Sequence, residues 1–230
     1  MNKSMTGFSV EGSAGPGSIT QRVYEDLRSK IVSAEIAPGS RLKVEILKST
    51  MDAGASPIRE ALSLLTSDQL VERLDQRGFR VARVSEDQFR EILKLRCALE
   101  EMALRESLVF ADLAWEENLV LVHHRMVRTP RRDVSEFEAQ HKAFHMALLS
   151  ACKSPLLMHF CGQLYDLNIR YRFLAGRTEE YTSRDVSKEH ADILAAALDR
   201  DADMATVCLL QHYRKTGQYL VERLDGPEFG

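Results

Sequence analysis

The sequence predicts a mainly α-helical protein, built from an N-terminal winged helix-turn-helix and a C-terminal all-α antiparallel helical bundle. Three observations lead to this prediction. Residues 18–84 contain three stretches of helical apolar periodicity, followed by two short β-prone runs around a glycine. Residues 85–226 keep a helical period almost throughout, and short breaks divide them into separate helices. The composition, 44% hydrophobic and 28% charged, is that of a chain with a packed core.

The three helices of the first domain are predicted from their apolar stripes and their end signals. The first runs from about Thr20 to a point before the turn pair Pro38-Gly39. The second covers about residues 44–51 and ends before a glycine. The third is expected to start at Ser56-Pro57, because serine is a favourable N-cap and proline is tolerated in the first helical position.

The third helix and the hairpin that follows it are typical of a DNA-reading unit. A helix of this length fits the major groove, where Arg59 in its first turn can contact guanine. The hairpin tip can approach a minor groove or a phosphate, because Gly78 allows close backbone approach and Arg77 supplies charge. With Ser56 and Pro57 at the helix start, these residues are the predicted DNA contacts. The alternative interpretation is that they are ordinary solvated residues.

The rest of the chain is divided by its breaks into six helical segments. These are residues 86–108, 112–128, 134–152, 155–175, 182–199 and 201–224. The organisation expected from the whole sequence is a disordered tail at 1–17, a first domain at 18–84 and a second domain at 85–226. Because the joint between the domains is short, their orientation should be restrained.

Charge, hydropathy and cysteine content exclude several classes of protein. The formal net charge of −3 divides into +2 for residues 18–84 and −5 for residues 85–230, so a nucleic-acid surface is expected in the first domain. No run approaches 18 consecutive apolar residues and the first 17 residues lack the apolar segment of a secretory signal, so we expect a cytoplasmic protein with no membrane partner. The four cysteines form no CxxC pair and are expected to be buried thiols.

Histidines in the second domain have the spacing of a metal site. His141 and His145 are four residues apart on one predicted helix, so both imidazoles leave the same face about one turn apart. His190 and His212 lie on two further predicted helices, and a bundle can bring such side chains together. The alternative is that each is a core or surface histidine with hydrogen-bond partners. The pair is not an HExxH motif, because no general base lies between its members.

Most of the chain resembles the GntR-type bacterial transcription regulators. Their DNA-binding domain is similar to VYEDLRSKIVSAEIAPGSRL together with PIREALSLLTSDQLVERLDQRGFRVARV. The FCD effector domain of the FadR-like branch is similar to LKLRCALEEMAL, HKAFHMALLSACKSPLL and EHADILAAALDRD. The resemblance implies a ligand-responsive transcription regulator, not an enzyme, that binds a pseudo-palindromic operator as a homodimer.

The resemblance also implies a metal ion in the second domain. Metal-binding members use an aspartate and three histidines, which correspond here to His145, His190 and His212, with His141 in place of the aspartate. A fourth imidazole makes the site one charge more positive and favours a divalent transition metal, with zinc and nickel as the leading candidates. Glu138, three residues before His141, is the alternative fourth ligand.

The same resemblance implies a small carboxylate effector that completes the coordination of the metal. Arg96 matches the arginine of the family's first effector-domain helix and is expected to clamp an effector carboxylate through a bidentate pair. Its alternative role is an ion pair with Glu100, one helical turn away.

The DNA-binding half departs from the family where the third helix starts. The family commonly reads Gly-x-Ser-Arg-Thr-Pro, whereas Gly54 and Ala55 here replace a capping serine and an arginine that often contacts DNA. Weaker or altered operator recognition is therefore expected. Two alternatives to a regulator stay open: a small-molecule-binding module whose DNA binding has decayed, and a metal-dependent hydrolase or lyase. Against the enzyme, the sequence shows no general base or nucleophile beside the histidines.

Overall fold

The computed structural model of the chain describes residues 18–75, 77–131, 134–175 and 185–224. Four parts of the sequence predictions lie outside the described residues: the tail 1–17, Gln76 in the hairpin, the helix start 182–184 and the domain end 225–226. Over the described ranges the predicted fold class is confirmed, with a winged helix-turn-helix followed by a helical bundle.

Three helices form the body of the first domain: α1 (Ile19–Val32), α2 (Val44–Met51) and α3 (Ala55–Ser67). The Ser18 hydroxyl accepts the N–H of Gln21 and caps α1. Apolar residues at helical spacing point from α1 and α3 into one core. They are Val23, Leu27, Ile31, Ile58, Ala61, Leu62 and Leu65.

The start of α3 differs from the prediction. Gly54 occupies the N-cap position in an extended conformation, and none of the side chains that the structure describes caps the helix there. Ser56 as N-cap and Pro57 as first helical residue are therefore wrong, since they are the second and third residues of α3. Pro57 is tolerated at this place because the first N–H groups of a helix have no intrahelical acceptor.

Three short strands complete the first domain: β1 (Arg41–Leu42), β2 (Val71–Leu74) and β3 (Gly78–Val81). They form an antiparallel sheet in the order β1-β3-β2. The β2–β3 hairpin lies where the sequence predicts it, with Leu74 opposite Gly78. Gly78 has φ +89°, a conformation that favours glycine. Strand β1 was not predicted, because two residues are too few to show a periodicity.

Six helices of the described residues form the second domain, each corresponding to one predicted segment. They are α4 (Glu86–Phe110), α5 (Leu113–Arg128), α6 (Val134–Leu149), α7 (Pro155–Ala175), α8 (Val186–Leu198) and α9 (Ala202–Leu224). Side chains cap three of them: Ser85 accepts from the backbone at the start of α4, Asp112 at α5 and Asp185 at α8. The caps of α4 and α5 lie within one residue of the helix starts that the sequence predicts, whereas α8 begins at Val186 and its predicted start at 182 lies outside the described residues.

Two apolar cores hold the molecule together, and α7 takes part in both. The first core joins α1, α2, α3 and the sheet, and it continues through Phe89 of α4 into Leu164, Leu167 and Tyr171 of α7. The second core fills the bundle and includes Cys161 of α7. Helix α7 therefore lies between the first domain and the interior of the second.

Two further expectations concern cysteines and membranes. The four cysteines are free thiols, but only Cys152 and Cys161 are buried, whereas Cys97 and Cys208 are half-buried. The expectation of burial is therefore correct for two of the four. Among the residues that the structure describes, no helix combines the length and the apolar character needed to cross a membrane.

Candidate metal centre and nucleic-acid interface

Four histidines from three helices meet in the interior of the bundle. His141 and His145 lie one turn apart on α6, His190 lies on α8 and His212 lies on α9. One ligand nitrogen of each imidazole lies within 4.8 Å of the others, and none of the four residues is more than 4% exposed. The structure thus brings together the four histidines selected from the sequence, and we call them the histidine cluster.

Hydrogen bonds at Nδ1 set the tautomer of two cluster members. Nδ1 of His212 donates to a carboxylate oxygen of Glu189 at 2.8 Å. Nδ1 of His145 lies 2.9 Å from the hydroxyl of Tyr213, whose own proton goes to Glu100, so the imidazole N–H donates to the hydroxyl oxygen. In both rings the proton sits on Nδ1, which leaves the lone pair of Nε2 for a metal ion.

The Nε2 atoms of the other members indicate that an ion fits between the rings. Nε2 of His190 is buried and has no hydrogen-bond partner among the described residues, which is uncommon for a buried polar atom. Nε2 of His141 lies 3.2 Å from Nε2 of His145. Two ligands of a tetrahedral ion with metal–nitrogen bonds of about 2.0–2.1 Å are separated by a similar distance. A set of four imidazoles suits zinc, nickel and other borderline divalent metals.

Burial keeps the cluster in the form that binds metals. It lowers the pKa of His141, His145 and His190 well below the usual 6.5, because a charged imidazole would lose its hydration in the interior. Neighbouring imidazoles and the guanidinium of Arg172 lower these pKa values further. The three rings are therefore neutral at pH 7, as metal ligation requires.

The surroundings of His141 differ from those of the other cluster members. Its Nδ1 lies 2.5 Å from the hydroxyl of Tyr165 and 3.3 Å from Nη1 of Arg172. A guanidinium can only donate, so Nδ1 accepts from it and Nε2 carries the ring proton toward His145. Ligation through Nε2 would place that proton on Nδ1, where the Tyr165 hydroxyl oxygen can accept it.

Glu138, the alternative fourth ligand, is buried beside His141 and pairs with a cation. One carboxylate oxygen lies 3.0 Å from Nη2 of Arg172, and the other lies 3.9 Å from Nδ1 of His141. The carboxylate therefore neutralises Arg172, and the set of mutually close ligand atoms is made of the four histidines. This geometry favours His141 over Glu138 as the fourth ligand.

Arg96 of α4 lies in a buried polar network next to the cluster. Its Nε donates to Glu100 at 2.5 Å and its Nη1 donates to Asn168 at 2.9 Å. The guanidinium carbon lies 4.7 Å and 4.1 Å from the ring centroids of Tyr165 and Tyr213. Nη2 is buried without a hydrogen-bond partner in the described part of the chain. Arg96 thus forms the ion pair with Glu100 and retains a free donor.

A small cavity connects Arg96 to the cluster. Its lining includes Arg96, Arg172 and Thr216 together with His141 and His212. An anion in this cavity would meet a buried guanidinium on one side and cluster imidazoles on the other. The side chains that line it have the chemistry to bind a small carboxylate, but its volume of about 10 Å³ is that of a single water molecule, so a carboxylate would need the lining to open.

The first domain presents five basic side chains around one groove between α3 and the sheet, which we call the basic groove. They are Arg41, Lys43, Arg59, Arg73 and Arg77. All five are exposed, and none forms an ion pair with a carboxylate of the described residues. Gly78 lines the same groove, whereas Ser56 and Pro57 lie at the start of α3 outside its lining.

Sequence reasoning missed three members of the basic groove and the partners of the cluster. Arg41 and Lys43 flank the buried Leu42, but a strand of two residues is too short for this alternation to be recognised in the sequence. No signal was available for Glu189 and Tyr213, because pairing across separate helices leaves no local pattern.

Two known protein families match this chain, one in each of its two domains. Residues 19–81 match the family described as "Bacterial regulatory proteins, gntR family", and residues 91–215 match the FCD domain. The chain is similar to the HTH-type transcriptional regulator BphR of Paraburkholderia xenovorans, with 36% identity over 218 residues, 92% of this chain and 89% of that protein. It is 30% identical over 197 residues to the HTH-type transcriptional repressor GlaR of Escherichia coli, covering 82% and 90% of the two chains. The solved structure of E. coli McbR/YncC shares the fold, with a TM-score of 0.78 and 22% identity over 90% of this chain and 99% of that one.

Proposed function

Because the chain belongs to the gntR family of bacterial regulatory proteins and carries an FCD domain, we propose that it is a ligand-responsive repressor that binds operator DNA as a homodimer. The resemblance stated from the sequence is confirmed, and so is the prediction that the protein is not an enzyme, since its domains and relatives are those of transcription regulators. GlaR and RspR, two similar proteins of Escherichia coli, are named repressors, which supports this sign of regulation.

The convergence of the histidine cluster is the observation that carries the sensing half of the proposal. The cluster would hold a divalent transition metal, zinc or nickel, through His141, His145, His190 and His212. Neutral ligands leave the full charge of the ion in place, so the site attracts an anion. When bound, the ion acts as a Lewis acid that a carboxylate oxygen can coordinate. Arg96 would hold the effector through Nη2, which has no hydrogen-bond partner among the described residues.

The basic groove supports the DNA-binding half of the proposal. The five exposed cations form no ion pair with a carboxylate in the described part of the chain, and together they offer a surface for phosphates. Arg59, on the exposed side of α3, would contact a base edge in the major groove, and Arg77 with Gly78 would approach the backbone or the minor groove. In a homodimer, two such surfaces about 34 Å apart would read the two halves of an operator.

Metal content tests the sensing half. The full-length wild type, His145→Ala and His190→Ala are purified without chelator, with His124→Ala as control because His124 is exposed and lies outside the cluster. We expect one metal ion per chain in the wild type and in the control, and loss of the ion in both cluster variants. Unchanged metal content in His145→Ala and His190→Ala would rule out this site.

Operator binding tests the other half. Fluorescence anisotropy with DNA from upstream of the protein's own gene should show salt-sensitive binding that weakens by about 1–3 kcal/mol per lost base contact in Arg59→Ala. Arg125→Ala, an exposed arginine of α5, is the matched control and should bind as the wild type does. Absence of binding at low salt would favour the alternative of a small-molecule-binding module that has lost DNA binding.

A further inference from the structure

Helix α7 carries two rows of polar side chains, and each row contacts a different domain. The row beside the metal site consists of Tyr165, Asn168 and Arg172. The row against the first domain consists of Gln163, Asp166 and Arg170. Both rows have i, i+3, i+7 spacing, so they lie on two faces of one helix. Since a packed helix moves as a unit, a displacement at one face is also a displacement at the other.

Asp166 makes the ionic contact between this helix and the first domain. Its carboxylate accepts from Arg28 of α1 and, at 2.6 Å, from Nζ of Lys142 on α6. The carboxylate is only 11% exposed, so its attraction to both cations is stronger than in a surface pair. We call Arg28, Asp166 and Lys142 the bridging triad.

The two bundle members of the triad each follow a residue of the metal site in the chain. Lys142 follows His141, and Asp166 follows Tyr165. His141 and Tyr165 are themselves in contact, with 2.5 Å between Nδ1 and the hydroxyl. Two contacts between α6 and α7 are therefore adjacent: the contact of His141 with Tyr165 and the ion pair of Lys142 with Asp166. A shift of His141 toward an ion would change how α6 packs against α7, and with it the position of Lys142 relative to Asp166.

We propose that Asp166 transmits the occupancy of the histidine cluster to the DNA-binding domain. The inference rests on the proposed function, because it requires that the cluster binds a metal ion. Two cations share one carboxylate, so a movement of Lys142 changes how firmly Asp166 holds Arg28 and therefore α1. Arg170, whose Nη2 donates to the carbonyl of Ala82 at 2.5 Å, anchors α7 to the segment between the domains. Asp166 is a positioning residue, since it lies outside both the cluster and the basic groove.

The test compares the full-length wild type with Asp166→Asn and uses zinc ions alone as the ligand. Competition with a chromophoric chelator measures zinc affinity, and hydrogen–deuterium exchange measures the protection of α1 with and without zinc. In the wild type, zinc should change the exchange rate of α1 amides by about fivefold or more, the low end of typical coupling between two sites. In Asp166→Asn, zinc affinity should be retained and the change in α1 should be lost.

Two further variants separate transmission from general stability. Lys142→Met removes the ion pair of Asp166 with α6 and leaves its ion pair with Arg28. This variant should also abolish the response of α1, so the test remains decisive if Asp166→Asn folds poorly. Asp203→Asn removes an ion pair with Arg105, 2.8 Å long, that joins α4 to α9 within the bundle, and it should respond as the wild type does.

The outcomes distinguish the two proposals. Zinc binding by the wild type with no change in α1, or a change that persists in Asp166→Asn and Lys142→Met, overturns the role of Asp166 and leaves the metal site standing. Failure of the wild type to bind zinc, in a preparation that is folded by circular dichroism, overturns the proposed function and this inference with it. Loss of the response in both triad variants but not in Asp203→Asn supports the inference.

Discussion

Replacing Glu100 by glutamine should destabilise the protein strongly, although the two side chains have nearly the same shape. Glu100 is fully buried, and its carboxylate accepts from Nε of Arg96 at 2.5 Å and from the hydroxyl of Tyr213. The substitution removes the charge and leaves the buried guanidinium of Arg96 without its anionic partner. Breaking a buried ion pair in this way costs about 3–5 kcal/mol.

The neighbouring residue on the same helix provides the control. Glu101 pairs with Arg105 at 3.0 Å, but its side chain is 36% exposed, so Glu101→Gln should cost only about 0–1 kcal/mol. Urea denaturation of the full-length variants in the presence of a chelator, followed by circular dichroism, measures both values. At about 2–4 °C per kcal/mol, the melting temperature of Glu100→Gln should fall by about 6–20 °C. If the two costs differ by about 1 kcal/mol or less, the buried pair of Arg96 and Glu100 contributes no more to stability than a surface pair.

Two further predictions concern the histidine cluster. Burial lowers the pKa of three cluster members in the folded protein, whereas the same histidines in the unfolded chain bind protons below about pH 6.5. The free energy of unfolding of the metal-free protein should therefore decrease as the pH is lowered, by up to about 1.4 kcal/mol per pH unit for each of the three. Urea denaturation between pH 7.5 and 5.5, about one unit on either side of the free imidazole pKa, measures this loss of stability. The loss should be smaller in His190→Gln than in the control His124→Gln, and equal losses would contradict the prediction. Glu189→Gln should lower zinc affinity about 10–100-fold, because the carboxylate orients His212. Chelator competition compares this variant with the control Glu117→Gln, and equal zinc affinities in the two would disprove the role of Glu189.

The helices of both domains were predictable because their apolar residues repeat with a helical period over many residues. Errors occurred where a single local interaction decided the outcome. The start of α3 was placed at Ser56 from residue preference, but the chain enters the helix at Ala55 with Gly54 in the N-cap position. Strand β1 exists because β3 pairs with it, and that pairing is not visible in two residues of sequence.

The candidate site shows the same limit. The spacing of His141 and His145 predicts a shared face, and helical order makes a meeting with His190 and His212 reasonable. The groups that prepare the site come from far along the chain, as Tyr213 does for His145, so no pattern around the histidines indicates them. Likewise, no sequence signal marks Asp166 as the partner of two cations.

Anomalous diffraction from crystals of the protein as purified, recorded on both sides of the metal absorption edges, would show directly whether the histidine cluster holds a metal ion. We expect one anomalous peak per chain, with the absorption edge of a divalent transition metal, within bonding distance of His141, His145, His190 and His212. If no anomalous peak lies between the four rings, either in these crystals or in crystals grown with added zinc, the histidine cluster is not a metal site.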